Sequence, residues 1–366
     1  MEIKVTKNNF LKAASLVTGV TAQKANTLPI LGNVLLETTS KGELRLIGTD
    51  LEVGISTTLP VEVMKEGSIT VPAKKMGEIM RELPEGDVEI TVSKNNTVNI
   101  KAGKAYFKIM GLTKEDYPKL PEWSSKDSIE LDQAVVKEGF ALTSFAISYD
   151  ETRYVLNGVL LSVKGNKIRF VATDGRRLAY VEKEIKNKTG QEMEMIIPVK
   201  AVQELIKMLA WEKTVQIIPS QNQVVFNLGD TYLVSRLIEG HFPNYEQVIP
   251  KGEKTKVEAP REELLQAVRR AALLTSPDSP AIKMDFVKGK ILVSSRSPNL
   301  GEAKEELSAN VSGDDVAIGF NPYYLMDALK NLDIETVSFS LSDPDKPGLL
   351  KGKEGYLYVV MPMQLN

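Results

Sequence analysis

The residues that could do chemistry are few, and their spacing argues against catalysis. The 366-residue chain has one histidine, His241, set in the turn-like stretch Gly240-His241-Phe242-Pro243. A Ser/His/Asp hydrolase would need that imidazole, yet no G-x-S-x-G elbow accompanies it, and a turn histidine is the simpler reading. There is no cysteine, which removes disulfides, thiolate metal sites and cysteine nucleophiles and fits a reducing cytoplasm. No phosphate-cradling Walker loop, no G-x-G-x-x-G and no H-E-x-x-H is present, so neither cofactor nor metal is expected. The run Thr173-Asp174-Gly175-Arg176-Arg177 invites a catalytic reading of Asp174. Its rival is an Asp-Gly turn ending a strand, favoured because Thr49-Asp50 closes a matching strand earlier in the chain. The acidic pairs Glu262-Glu263 and Glu305-Glu306 read as helix-start and solvated-edge charges.

Three features suit binding better than turnover. The C-terminal run Val359-Val360-Met361-Pro362-Met363-Gln364-Leu365 is apolar almost to its end, whereas free tails are polar and frayed. It is either a last strand finishing in the core or the lining of a groove, where methionines re-pack cheaply around different partners. Cations recur on helical polar faces: Lys74, Lys75 and Arg81, then Lys200 and Lys207, then Arg269 and Arg270. Each set stands among acids and reads alone as a solvated face; several such helices turned to one cavity would line it with mild positive charge. Arg153-Tyr154 joins a cation to an aromatic before a strand, which fits a phosphate contact or ordinary loop packing.

The elements that position these residues occur three times. A strand followed by an amphipathic helix reads as Ile3 and Val5 with Phe10, Ala13, Ala14 and Val17. It recurs as Ile129 and Leu131 with Val136, Gly139, Phe140 and Thr143, and again as Val257 and Ala259 with Leu264, Ala267, Val268 and Ala271. A second helix carries Met76, Ile79, Met80 and Leu83, then Val202, Leu205, Ile206 and Leu209, then Leu325, Ala328, Leu329 and Leu332. Hairpins centred on Lys41-Gly42, Gly165-Asn166 and Lys288-Gly289 are tripled as well. The linkers Leu112 to Pro118 and Leu237 to Pro243 match each other, and each runs on to a further proline, Pro121 or Pro250. Val71-Pro72 and Ile197-Pro198 precede their helices, and Asn321-Pro322 supplies a cap and a first-turn proline. The expected class is α+β, with two helices and about eight strands per unit packed as helices on antiparallel sheets. Boundaries fall near residues 121 and 252, giving units 1–121, 122–252 and 253–366.

A hydrophobic share of 42% and a charged share of 26% are those of an ordinary globular protein. No apolar run nears the roughly 18 residues of a membrane span, and Met1-Glu2-Ile3-Lys4-Val5 lacks a signal core, so no membrane association is expected. The net charge of −2 makes any nucleic-acid role a matter of local charge placement.

On these features the chain resembles the bacterial DNA polymerase III beta subunit family, the sliding clamps. The segments that carry the resemblance are Thr27-Leu28-Pro29-Ile30-Leu31-Gly32-Asn33, Ala172 to Ala179, Phe242-Pro243-Asn244-Tyr245 and Met361 to Leu365, together with the threefold repeat. The resemblance covers essentially the whole chain. It implies the DNA clamp fold of three similar domains, and a head-to-tail homodimer forming a ring of six, with helices lining the hole. It further implies a noncatalytic, cytoplasmic processivity factor that encircles duplex DNA without sequence preference. Such a ring tethers the replicative DNA polymerase and is opened by an ATP-driven clamp loader.

By the same resemblance, a groove for the peptide motifs of clamp-binding partners takes Leu156, Thr173, Gly175, Arg176, Arg177, Leu178, Pro243 and Val248. Asn321, Tyr324, Val360, Met361, Pro362, Met363 and Leu365 complete it. DNA would face Lys24, Arg153, Tyr154 and Lys200. Ring closure would pair Phe107 and Ile109 with Leu273 and Leu274 of the second copy, and Lys74 and Lys104 with its Glu302 and Glu305. The chain departs from the family pattern at Arg176, where histidine is common, and at Gln247 and Gln364, where arginine occurs. Two readings from other classes stand beside this one: an enzyme built on Asp174, and a monomeric peptide-binding adaptor with no DNA role.

Overall fold

Helical and strand periods alternate along the chain as the repeat requires. The computed structural model describes residues 1–22, 28–124, 128–187, 189–276 and 280–365. Its six α-helices are α1 Lys7–Thr18, α2 Ala73–Glu82, α3 Gln133–Ala141, α4 Val199–Met208, α5 Arg261–Ala272 and α6 Pro322–Asn331. Each buries the apolar stripe that its spacing sets: Phe10, Ala13, Ala14 and Val17 on α1, and Leu264, Ala267, Val268 and Ala271 on α5. On the second helix of each repeat the last apolar position, Leu83, Leu209 or Leu332, lies one residue past the helix end and is buried there. Thr143 falls beyond α3, which ends at Ala141; it is buried, and its hydroxyl donates to the Gly139 carbonyl at 2.8 Å. That hydrogen bond is why a polar residue is tolerated at an otherwise apolar position. Asn321 caps α6 by accepting from the Tyr323 amide at 2.9 Å, with Pro322 in the first turn.

The chain forms two compact units, residues 1–134 with 200–237, and residues 135–199 with 238–366. These units differ from the three sequence repeats because hydrogen-bonded ladders join one repeat to the next. Thr231–Arg236 pairs with Val53–Pro60 in the first unit, and Tyr356–Val360 pairs with Arg177–Glu184 in the second.

In the first unit one antiparallel sheet runs in the order Glu62–Lys65, Glu2–Thr6, Asp87–Val92, Thr97–Ala102, Ala105–Met110. An eight-stranded sheet runs Ile129–Asp132, Thr214–Pro219, Gln223–Asn227, Thr231–Arg236, Val53–Pro60, Glu43–Thr49, Asn33–Thr38, Ser68–Pro72. Helices α1 and α2 pack together here. In the second unit a nine-stranded sheet runs Met193–Pro198, Gly158–Lys164, Lys167–Thr173, Arg177–Glu184, Tyr356–Val360, Gly348–Lys351, Thr336–Leu341, Thr255–Pro260, Asn310–Gly313. A four-stranded sheet runs Gly301–Ser308, Lys290–Ser297, Ile282–Val287, Val316–Phe320, and α5 packs on α6. Glu62–Lys65 and Asn310–Gly313 raise the first and third repeats above eight strands; both are short and largely exposed, so no apolar alternation announces them.

The first two repeats keep the same register. Leu35 faces Ile47 as Leu160 faces Val171, and Arg45 faces Thr58 as Arg169 faces Glu182. The β-edges at Ala105–Met110 and Gly301–Ser308 carry no neighbour on their outer sides among the described residues.

Candidate functional site

The turn that suggested catalysis is a structural device. Asp174 Oδ1 accepts from the amides of Arg176 at 2.9 Å and Arg177 at 3.1 Å, and Oδ2 accepts from Arg177 Nε at 2.9 Å. Thr173 Oγ1 accepts from the Gly175 amide and donates to the Arg177 carbonyl at 2.5 Å. Gly175 has φ +85°, a left-handed conformation that suits glycine. The first repeat builds the same turn: the Glu52 and Val53 amides donate to Asp50 Oδ1, with Leu51 at φ +79° in the glycine's place. Both Asp174 oxygens are committed to holding backbone and Arg177, so the Asp-Gly turn is the correct reading and the Asp174 enzyme is set aside.

Arg177 is the hub of the site. Besides Asp174, it donates through Nη1 to Asp327 at 2.8 Å and through Nη2 to the Phe145 carbonyl at 2.7 Å. Its guanidinium lies 4.5 Å from the Tyr324 ring centre, a cation–π contact. Burial works against its charge, but Tyr358, Asp327 and Asp174 outweigh that and hold its pKa above the ordinary guanidinium value. Tyr358 is raised by burial, and its hydroxyl donates to the Tyr324 carbonyl at 2.9 Å. Strand, turn and α6 are thereby tied to one cation.

The apolar floor lies beside this hub. Leu160, Val171, Leu178, Ile196, Leu349 and Val359 form a buried cluster, covered in part by Val155, Phe242, Tyr245 and Ile249. Pro243 and Val248 stand exposed in the same linker, and Leu156 is buried at the end of the turn Glu151–Leu156. The C-terminal run begins as a strand finishing in the core. Tyr356–Val360 is a buried strand, and the chain then leaves the sheet half-exposed. The Met361 amide donates to the Arg176 carbonyl at 2.9 Å and the Met363 amide to the Gly319 carbonyl at 2.7 Å. A side chain on Gly319 would collide with the Met363 carbonyl and with Leu365, so glycine there lets the tail seat. Met361 and Leu365 stay more than two-fifths exposed, Met361 even though its backbone is held by a hydrogen bond.

The structure therefore gathers the turn, Leu178, Tyr324, the second linker and the tail in one unit. Val360 is fully buried and, by strand alternation, faces away from Val359. The groove set implied by the resemblance left out Val359, although the apolar C-terminal run contains it, and it left out Asp327 and Phe145, which carry no local signal.

The remaining candidates are more scattered. Lys24 lies outside the described residues, as does Thr27. Lys200 is ion-paired with Asp50. Arg153 binds Asp150 at 3.0 Å and donates to the Asp174 carbonyl at 2.8 Å, with Tyr154 exposed beside it. The helical cations have acids close by, Lys75 with Glu78 and Lys207 with Glu204, so acid and base share these faces. Lys74 and Lys104 are exposed, as is Phe107, which shares the edge strand Ala105–Met110 with the half-buried Ile109. Leu273, 73% exposed, and Leu274 follow α5. Glu302 and Glu305 have partners within the chain, Lys304 and Arg270. Glu262 and Glu263 lie in the first turn of α5, as a helix-start reading requires.

Comparison with known proteins places three successive matches along this geometry. Residues 1–121 match the DNA polymerase III beta subunit N-terminal domain, residues 130–244 its central domain and residues 246–364 its C-terminal domain. The chain is 35% identical over 370 residues to a beta sliding clamp of Pseudomonas putida, and 32% identical over 366 residues to that of Chlamydia muridarum, each covered end to end. Among solved structures it resembles a sliding clamp of Pseudomonas aeruginosa bound to griselimycin, with TM-score 0.94, 34% identity and full coverage of both chains. A Bacillus subtilis clamp matches with TM-score 0.93 at 28% identity, again over both full lengths.

Proposed function

Because the chain belongs to the DNA polymerase III beta subunit family, we infer that it is a processivity factor of DNA replication, a ring-forming scaffold that catalyses nothing itself. Two copies join head to tail around duplex DNA and tether the replicative polymerase. The observation that carries this reading is the succession of three clamp-domain matches along the chain, one for each copy of the threefold repeat. Domains 1–121, 122–252 and 253–366 are our division of the chain, since each holds one copy of that repeat.

The physics of sliding suits these residues. Duplex DNA carries a charge about every 1.7 Å of axis, so many firm phosphate contacts would stop motion. Enclosure separates holding on from gripping: a closed ring cannot fall off, and its contacts can stay weak and water-bridged. Lys200, held by Asp50, and Lys207, held by Glu204, offer tempered rather than naked charge. Lys200 with Arg153, Tyr154 and Lys24 is our DNA-facing set. The work is done where the chromosome is, in the bacterial cytoplasm.

The groove of the second unit is the docking place for the polymerase, the clamp loader and other proteins with a clamp-binding peptide motif. Leu178 and Val359 form its floor, Arg177 and Tyr324 one wall, Pro243 and Val248 another, and Met361, Met363 and Leu365 an adaptable rim. An extended peptide with one or two Leu or Phe anchors fits such a surface. Ring closure sets the open edge Ala105–Met110 against Gly301–Ser308 of the second copy, with Phe107 and Ile109 meeting Leu273 and Leu274. In that arrangement Glu302 and Glu305 exchange or share their internal partners with Lys74 and Lys104.

The decisive experiment loads the protein on nicked circular DNA and on the same DNA made linear. A ring persists on the circle and runs off the linear ends; equal loss from both would end the proposal.

A further inference from the structure

The first two repeats share register but not the residues laid on it. Thr58 faces Arg45 where Glu182 faces Arg169, and Ser56 stands where Tyr180 does. Leu120, two residues after Tyr117-Pro118, matches Tyr245, two residues after Phe242-Pro243. In the second repeat these side chains close the sheet face. The Tyr180 and Tyr245 rings lie 5.8 Å apart, the Tyr180 hydroxyl donates to Glu182 at 2.9 Å, and Arg169 Nε donates to the same carboxylate at 2.7 Å.

The first repeat has none of the three, and a cavity of about 850 Å³ opens at that place, with Leu35, Ile47, Arg45, Leu120, Trp123 and Tyr232 in its wall. That volume lies within the range of ligand pockets. The Trp123 and Tyr232 rings meet edge to face, 5.9 Å apart, at its side. Arg45 donates through Nη2 to Glu37, but its Nε–H, the counterpart of the donor that Arg169 gives to Glu182, has no partner among the described residues. The wall mixes these apolar and aromatic groups with the charged side chains of Glu37, Lys114, Glu115, Lys119 and Glu122, and within it a guanidinium with one unused, buried donor is the counterpart of the group to which the second repeat supplies a carboxylate from within.

We propose that this cavity is a second peptide site, taking an extended segment that presents an aromatic side chain and, two residues further on, a carboxylate. The ring seats against Leu35, Ile47 and the Trp123–Tyr232 pair, and the carboxylate binds Arg45. The site lies wholly within the first compact unit and does not depend on the groove or the ring described above.

The test titrates acetyl-Tyr-Val-Glu-amide, copied from Tyr180-Val181-Glu182, into the full chain by calorimetry. Saturable binding, one peptide per chain, is expected. Arg45→Gln should weaken it about tenfold or more, as for loss of a charged hydrogen-bond partner. Thr58→Glu, which sets a carboxylate across the ladder from Arg45 as Glu182 is set across from Arg169, should do the same by occupying the site; Thr58 is part-exposed, and circular dichroism checks that the variant folds. Replacing the peptide's tyrosine by alanine, or its glutamate by glutamine, should also weaken binding. Absence of saturable heat, or wild-type affinity in both variants, would overturn the proposal. So would loss of binding on deleting residues 361–366, which would move the peptide to the tail groove, or equal affinity for free 4-hydroxyphenylacetate, which would make the ligand a small aromatic acid.

Discussion

Arg177 lays its guanidinium over the ring of Tyr324, 4.5 Å from the ring centre, and in doing so joins the strand Arg177–Glu184 to helix α6. Its other donors reach Asp174, Asp327 and the Phe145 carbonyl. One side chain thus fixes the turn, the helix and the 3-10 segment Ser144–Ala146, which carries Phe145, to one another.

Arg177→Lys should therefore be costly despite keeping the charge. Lysine has no planar fork and cannot serve three acceptors in three directions. Urea melts should show a loss of about 3 kcal/mol, the scale of breaking a largely buried ion pair, and a Leu/Phe-anchored peptide should bind more weakly. A wild-type melt would show that the hub is ornamental to stability.

Met363 is held by its amide on Gly319 while its side chain stays part-exposed. Met363→Ala should reduce peptide affinity by about 1–3 kcal/mol, as at a central contact residue, measured by fluorescence polarisation. Deleting residues 361–366 should abolish polymerase and loader binding and leave the dimer intact by sedimentation. Loss of the dimer instead would put the tail in a different role.

Glu182 gives a pH prediction with a definite sign. Burial alone would raise its pKa, but Lys167, Arg169 and Tyr180 pull it from the ordinary 4.5 down to about 2. A folded-state pKa below the unfolded one means that the carboxylate stabilises the fold above about 4.5, and that this contribution is lost as pH falls toward about 2. Glu182→Gln should lower stability at pH 7, and the gap to wild type should narrow steadily below pH 4.5. Urea midpoints at a series of pH values test it; a gap that stayed constant would remove the charge from the argument.

Leu273 is 73% exposed in the single chain, so Leu273→Asp has little to lose in folding and much in assembly. Sedimentation should shift the protein from a dimer to its 40.4 kDa monomer with an unchanged melting curve. A variant that still pairs would move the ring contact elsewhere.

Much of this was readable from residue order. The apolar stripes of α1 and α5, the Asn321 cap and the turn reading of Asp174 all rest on local spacing, which sequence carries directly. The compact units were not readable, because the pairing of Thr231–Arg236 with Val53–Pro60 is set by ladders between segments far apart in the chain. Asp327 and Phe145 were hidden for the same reason: nothing near either residue announces Arg177. The short strands Glu62–Lys65 and Asn310–Gly313 were hidden by exposure, since a strand that buries nothing leaves no alternation to see. Lys200 was visible as a cation, but its neutralising Asp50 was not.

Val359 and Val360 look to opposite sides of one sheet, the first toward the floor and the second into the interior. The distance from Tyr356 to Met361 is therefore counted in whole residues, with no slack. Inserting or removing a single residue in Tyr356–Val360 would swap those sides, taking Val359 out of the floor and turning Met361 from its hold on Arg176. A substitution within Tyr356–Val360 leaves that alternation in place, whereas a single insertion or deletion reverses it.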